Sequence, residues 1–250
     1  MKIGRNIRDL DIPFKYEVDF SKKYGFDLIQ LWYKRGNIDL VYENNQIEAI
    51  KKSNIKTILH GSFDINDFDE YADDFIKTLI KLKHKETIIH PMIKTEKINR
   101  VTNKKLVDKV LNLCNKLNEK GITVYVENNH VKMKTFYTLE QWKYFWSKAP
   151  KNTEFLLDIV HVLFNDDYDY MRELIKIKYP KCLHIADTKK GLVGKKHLHL
   201  PIGEGIIDFN IIFNDILKDF NGIIILEIKN TDYYIIESKK LLLKYIKNYK

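Results

Sequence analysis

The sequence predicts an α/β protein built as one (β/α)8 barrel, and three observations carry that prediction. Short apolar runs alternate with longer amphipathic ones from end to end, the pattern of βα units around a parallel sheet. Eight such runs fit within 250 residues, a length at which α/β barrels commonly form one domain. Histidines and acids fall at the ends of these runs, where such barrels build their active sites.

Taken in order, the predicted strands are Lys2–Gly4, Phe26–Trp32, Ile55–His60, Thr87–His90, Ile122–Glu127, Phe155–His161, Cys182–Ala186 and Ile223–Ile228. A helix is predicted over Asp67–Lys83, where Phe68, Tyr71, Phe75, Leu79 and Leu82 recur at helical spacing behind an Asn66 or Asp67 cap. Another spans Lys104–Lys120, with Leu106, Val110, Leu113 and Leu117 on one face and Gly121 placed as a C-cap glycine. Weaker helical patterns lie around Glu17–Tyr24 and Glu43–Lys52, and the run Tyr233–Tyr249 closes the ring.

No composition break, Gly/Ser-rich linker or internal repeat divides the chain, so residues 1–250 are read as a single barrel domain. The net charge of +9 suits a polyanionic partner, although lysine, asparagine and isoleucine are frequent throughout, as an AT-rich genome would also produce. Two cysteines, Cys114 and Cys182, give neither a disulfide framework nor a thiolate zinc motif, and a reducing compartment is the default. No long apolar run suggests a leader or a membrane span. The expectation is a cytoplasmic monomer that does not engage a membrane.

The chemistry concentrates at the strand ends. They read Ile-Leu-His60-Gly, Ile-Ile-His90-Pro, Tyr-Val-Glu127-Asn, Leu-Leu-Asp158-Ile-Val-His161, Leu-His184 and Leu-Glu227. Beyond the seventh strand, His197-Leu-His199 on an extended segment would turn both imidazoles to one face. A lone histidine after an apolar run is commonly a satisfied rim residue, and a lone acid there commonly caps the next helix. Six successive strands sending such groups to one end of a narrow barrel is different, because they are costly there unless paired or metal-bound. A polynuclear metal centre answers that cost. Carboxylates mixed with imidazoles, without thiolate, suit Zn²⁺, with Mn²⁺ or Fe²⁺ as alternatives, and a carboxylate such as Glu127 can bridge two ions.

The series His60-Gly-Ser-Phe-Asp-Ile-Asn66, His90-Pro, Glu127-Asn, Asp158-Ile-Val-His161, Asp166-Asp-Tyr-Asp169, His184-Ile-Ala-Asp187-Thr-Lys189 and His199-Leu-Pro-Ile-Gly203-Glu204-Gly205 resembles endonuclease IV. That zinc-dependent apurinic/apyrimidinic endonuclease family (AP endonuclease family 2) lies within the xylose-isomerase-like TIM barrel superfamily, which also holds sugar isomerases and epimerases. The resemblance runs in order from about Phe26 to Glu227. It implies up to three Zn²⁺ ions: one held by His60, His90 and Glu127, a second by Glu127, Asp158, His184 and Glu227, and a third by His161, His197 and His199. His197 stands where the family has Asp. The opening Ile-Gly-Arg-Asn-Ile lacks the family's glycine-and-histidine start, Met92 replaces a glycine, and Asn129-His130 replace small residues.

Two enzymatic functions follow, and a non-catalytic barrel that only binds a small sugar or phosphate is a third. The first is hydrolysis of a phosphodiester in abasic or damaged DNA, with Glu127 and Glu227 as catalytic carboxylates and Glu127 orienting the attacking hydroxide. Lys34, Arg35, Asp187, Lys189 and Glu204 are candidate substrate contacts. Lys195 and Lys196 add phosphate contacts, and Trp32 and Tyr33 offer aromatic platforms. The alternative is a sugar or sugar phosphate isomerase or epimerase with one ion on Glu127, Asp158, His184 and Glu227, the two glutamates shuttling a proton.

Overall fold

The computed structural model describes residues 1–8, 12–40, 42–130, 133–165, 167–190, 198–228 and 230–247. Eight parallel strands close into a barrel: β1 (Lys2–Asn6), β2 (Leu28–Lys34), β4 (Lys56–Asp64), β5 (Glu86–Met92), β6 (Thr123–Glu127), β7 (Thr153–Asp158), β8 (Cys182–Ile185) and β11 (Ile223–Leu226). Closure comes from β1, which pairs with β11 on one side and β2 on the other. A short β3 (Asn37–Ile38) folds back antiparallel on β2, and β9 (Asp187–Thr188) pairs antiparallel with β10 (Leu198–Leu200).

Alternation along each strand sorts side chains into two cores. Leu28, Ile58, Ile88, Leu156, Cys182 and Ile225 fill the barrel interior. The opposite faces of the strands pack against the helices in a much larger cluster that includes Phe20, Leu31, Phe75, Leu117, Trp142 and Leu242. Gly4 is required at its interior position, because a Cβ there would lie 2.5 Å from Leu28 Cδ1.

The helices form the outer ring. They are α1 (Phe14–Lys23), α2 (Gln46–Lys52), α3 (Asp67–Lys81), α4 (Arg100–Glu119), α5 (Leu139–Trp146), α6 (Ile159–Leu163), α7 (Tyr168–Ile177), the single turn α8 (Phe209–Ile211) running into a π-helical turn at Ile212–Ile216, and α9 (Asp232–Lys247). In α4, Asn99 and Thr102 close a reciprocal capping box, so the helix starts a turn earlier than its apolar spacing predicts. Gly121 follows it at φ +68°, the left-handed conformation expected of a C-cap glycine.

One predicted strand needs correction. The run Phe155–His161 ends as a strand at Asp158, whose side chain accepts a hydrogen bond from the His161 backbone N–H and caps α6. His161 therefore reaches the barrel mouth from a helix. In contrast, β4 and β5 continue beyond His60 and His90, so both imidazoles sit within strands rather than at their last residues.

Charge inside the helix layer is paired. Arg5 on β1 meets Glu17 of α1, and the same carboxylate accepts from Arg8 Nε at 2.8 Å. Arg8 also pairs with Asp232 of α9. Removing one member of such a buried set strands the other, so Glu17→Ala is expected to cost about 3–5 kcal/mol in urea unfolding. The double replacement Arg5→Met with Glu17→Leu should recover much of that loss.

Asp187 does similar work for the loop after β10. Its carboxylate accepts from the backbone N–H groups of Thr188, Gly203, Gly205 and Ile207 at 2.9 to 3.1 Å. A Cβ on Gly205 would lie 2.1 Å from Asp187 Oδ1, so glycine is needed for that approach. Asp187→Ala is expected to lower stability by a few kcal/mol, since each buried N–H left unpaired costs about 1–3 kcal/mol. Thermal unfolding of the variant checks this.

Candidate metal centre

Eight of the nine sequence-predicted ligands can be placed, and all eight lie at the C-terminal mouth of the barrel; His197 lies outside the described residues. His60, Glu127, Asp158, His184 and Glu227 are each less than 5% exposed. Their donor atoms assemble into three sets: His60, Glu127 and His184; His90, Glu127 and His161; and Asp158, His184 and Glu227. Within each set the donor atoms lie no more than 4.8 Å apart.

Glu127 is common to two of these sets, and its oxygens face different partners. Oε2 lies 3.0 Å from His60 Nε2 and 3.5 Å from His90 Nδ1. Oε1 lies 3.3 Å from His184 Nδ1 and 3.6 Å from His161 Nδ1. Glu227 reaches the centre from the opposite side, with Oε1 3.5 Å from His184 Nδ1 and Oε2 3.6 Å from His199 Nδ1. His199 holds φ +66°, a conformation costly for a residue with a Cβ, as ligand and active-site positions often do. The grouping differs from the one the resemblance implies, because His161 joins His90 and Glu127 rather than standing with His199, whose ring centroid is 6.4 Å away.

Several of the imidazoles are braced by neutral acceptors. His90 Nε2 is 2.5 Å from Asn129 Oδ1, and that carboxamide donates to Pro91 O and Thr135 Oγ1, which fixes its oxygen toward the ring. His161 Nδ1–H donates to the Asn128 carbonyl at 2.8 Å. His184 Nε2 is 2.8 Å from Gln30 Oε1. Asn128 also clasps the end of β7, accepting from the Asp158 N–H and donating to its carbonyl. Asn129 thus orients the His90 ring within the cluster.

These braces leave other atoms bare. Neither nitrogen of His60 has a hydrogen-bond partner, nor do His184 Nδ1, Glu127 Oε2, Asp158 Oδ2 and His199 Nδ1. Bare lone pairs from imidazoles and carboxylates, converging in a buried space, are the donor set that a divalent cation requires. The residues therefore fit a metal, and the absence of thiolate among them suits Zn²⁺, Mn²⁺ or Fe²⁺.

Electrostatics agree with that donor chemistry. Burial alone would raise the Glu127 and Glu227 carboxyls, but facing imidazoles outweigh it and hold both below the ordinary carboxylate range. Asp158 is pushed up by burial and by Glu127. Burial pulls His90 down to about 4. Burial would also lower His184, yet Glu227 and Glu127 outweigh it and raise this imidazole to about 9. His161 is raised in the same way, with Asp158 and Glu127 overcoming burial.

Four predicted substrate contacts occupy the exposed rim. Lys34 pairs with Asp39 at 3.2 Å and Arg35 with Asp67 at 3.2 Å, while Lys189 and Glu204 are exposed. The fifth, Asp187, spends its carboxylate on backbone amides, and Lys195 and Lys196 lie outside the described residues. Of the aromatic platforms, Trp32 stacks on His60 with ring centroids 4.2 Å apart, whereas Tyr33 is buried in the helix layer against Phe63 and Phe75. Two residues at the site are absent from the sequence-based prediction. Gln30 bridges His184 and Glu227, and Asn6, its register partner on β1, is 1% exposed with neither side-chain polar atom hydrogen-bonded. For Gln30 the available signal was a polar residue inside the apolar run Leu28-Ile-Gln-Leu-Trp32; Asn6, at the end of Lys-Ile-Gly-Arg-Asn, carried no such signal.

The architecture defines a class, (β/α)8 barrels with a metal-ligand set where the strands end. The sequence profile of the xylose isomerase-like TIM barrel family matches residues 18–245, and the chain belongs to that family. Among solved structures it is similar to a D-tagatose 3-epimerase-like protein (TM-score 0.79, 18% identity, 100% of this chain and 98% of that one). It is similar also to an IOLI protein with a bound zinc atom (TM-score 0.78, 19% identity, 100% of this chain and 99% of that one). An AP endonuclease, family 2, from Brucella melitensis aligns with TM-score 0.68 and 17% identity over 94% of this chain and 96% of that one. At such identities the likeness shows the fold. No curated protein matches the sequence.

The raised imidazole gives a test of the centre's charge balance. Because His184 titrates near 9 in the fold against about 6.5 unfolded, its stabilisation is complete below pH 6.5 and lost as pH rises through 9. Metal-free protein should lose about 3 kcal/mol across that window. Metal-loaded protein, in which the imidazole is neutral and ligating, should not follow this trend in thermal melts.

Proposed function

We propose that the protein is a metal-dependent hydrolase of phosphodiesters, holding more than one Zn²⁺ and acting on DNA at an abasic or damaged site. The observation that carries this reading is the division of Glu127, one oxygen toward His60 and His90 and the other toward His184 and His161. A carboxylate so placed could serve as a ligand to more than one ion, and paired ions are the clamp used in phosphodiester cleavage. Divalent ions held there supply Lewis acidity to a phosphoryl oxygen and make water nucleophilic at neutral pH.

The chain's own residues supply the rest. Glu127 orients the attacking water, and Glu227 faces it across the centre. Lys34, Arg35 and Lys94 line a cavity of about 260 Å³ with Ser62, Asp64, Asp67 and Met92, at the ends of β2, β4 and β5. A phosphate backbone would meet Lys94 there, and Lys34 and Arg35 in exchange for their pairs with Asp39 and Asp67, and the +9 net charge favours the encounter.

A second reading is a sugar or sugar phosphate epimerase or isomerase. It is favoured by the compact set Asp158, His184 and Glu227 with Glu127 beside it, which is complete for one ion, and by the epimerase-like neighbour. Glu127 and Glu227 would then exchange a proton with a sugar carbon from two sides. This reading leaves His60 and His90 without a task.

Incision of a duplex carrying one abasic-site analogue, by protein reloaded with Zn²⁺ or Mn²⁺ and with an EDTA control, tests the choice. Chelator-sensitive cleavage 5′ of the lesion is expected, with more than two metal equivalents per chain. His60→Ala should reduce it by at least about 100-fold, as expected when a ligand is lost. Failure of a metal-loaded protein to cut, with turnover of a sugar that survives His60→Ala, would replace the first reading with the second.

A further inference from the structure

We infer that Gln30 is a positioning residue that commits His184 to one tautomer and orients Glu227, so that a neutral carboxamide sets how this side of the centre holds its ion. The inference rests on the metal-centre reading and is common to both proposed reactions. Gln30 lies in the middle of β2, wholly buried, on the interior face it shares with Leu28. Its Nε2 is 2.5 Å from Glu227 Oε1 and its Oε1 is 2.8 Å from His184 Nε2.

The orientation of the amide follows from donor and acceptor chemistry. A carboxylate only accepts, so the NH₂ must face Glu227 and the amide oxygen must face His184. That oxygen calls for a proton on His184 Nε2, which leaves the Nδ1 lone pair aimed at the space shared with Glu127, Asp158 and Glu227, at 3.3, 3.9 and 3.5 Å. The reverse placement would set the amide oxygen against the Glu227 carboxylate. Gln30 thus couples two ligands that come from strands β8 and β11 through a third strand, β2.

Its neutrality matters as much as its geometry. His90 and His161 are likewise braced by an amide oxygen and a backbone carbonyl, so three outer contacts fix three rings without adding charge. Carboxylate braces would make the imidazoles more basic, but here each would add a buried negative charge to three carboxylates already in the site.

The test uses the full chain with Zn²⁺. Chelator competition and mass-spectrometric metal counting are compared for wild type and Gln30→Met, which keeps the side-chain volume, and ¹⁵N spectra report the His184 ring. Wild type should show Nε2 protonated and Nδ1 ligated. Gln30→Met should bind the ion at His184 10- to 100-fold more weakly and lose the single-tautomer signature. Wild-type affinity, count and spectrum in Gln30→Met would overturn the inference. If that variant does not fold, Gln30→Glu carries the test, because it still accepts from Nε2–H: a retained His184 signature supports the inference and a lost one overturns it. A wild-type protein that binds no divalent ion would instead sink the metal-centre reading, and this inference with it.

Discussion

Three carboxylates confined at the barrel mouth, Glu127, Asp158 and Glu227, are the constraint on which the other features depend. Anions drawn this close and removed from water repel one another strongly and are tolerated only with cations between them. Their strongest charge neighbours are imidazoles rather than lysines or arginines. An imidazole can be a cation when protonated or a ligand when neutral, so the same residues serve the empty and the loaded centre. Arginine would have neutralised the site permanently and left no lone pair for a metal.

The fold keeps this chemical charge apart from structural charge by strand alternation alone. On β1, Arg5 turns into the helix layer and meets Glu17, while Gly4 lies on the interior face against Leu28. Asn6 follows two residues later on that interior face, paired in register with Gln30. Permanent ion pairs therefore lock α1 and α9 to the sheet, and the mouth receives neutral amides and titratable rings. The separation also explains why conserving the barrel alone does not specify a reaction: the chemistry depends on a handful of interior positions near the strand ends.

The barrel and most of its ligands were legible in the sequence because each signal was periodic or terminal. Apolar runs gave the eight strands, and a histidine or acid near the end of a run must point into the mouth or out to the helices. Structure that depends on local hydrogen bonding was less legible. Asp158-Ile-Val-His161 reads as a continuing strand until the Asp158 cap is seen, and α5 follows Thr138 and Gln141, a capping box inside a stretch without a strong apolar period. Asp187 looked like a substrate residue because an acid beside a histidine strand and a Gly-Glu-Gly turn can either bind a ligand or collect backbone amides, and spacing does not distinguish the two. Gln30 was overlooked because its meaning lies in partners 154 and 197 residues away.

The choice between a polynuclear centre and a single ion turns on His60 and His90. A buried polar atom without a hydrogen bond costs about 1–3 kcal/mol, and neither nitrogen of His60 makes one: its Nε2 only faces Glu127 Oε2 at 3.0 Å, and the ring is fully enclosed beneath Trp32. A strand that needed only to pack there would be better served by leucine, as at neighbouring interior positions. His90 reinforces the point, since Asn129 holds its Nε2 and thereby turns Nδ1 toward the Glu127 oxygen that also faces His60. The donor atoms close enough to share an ion join His60 with Glu127 and His184, and His90 with Glu127 and His161, so Glu127 belongs to both groups. An ion held by either group would satisfy lone pairs that the fold otherwise buries without hydrogen bonds.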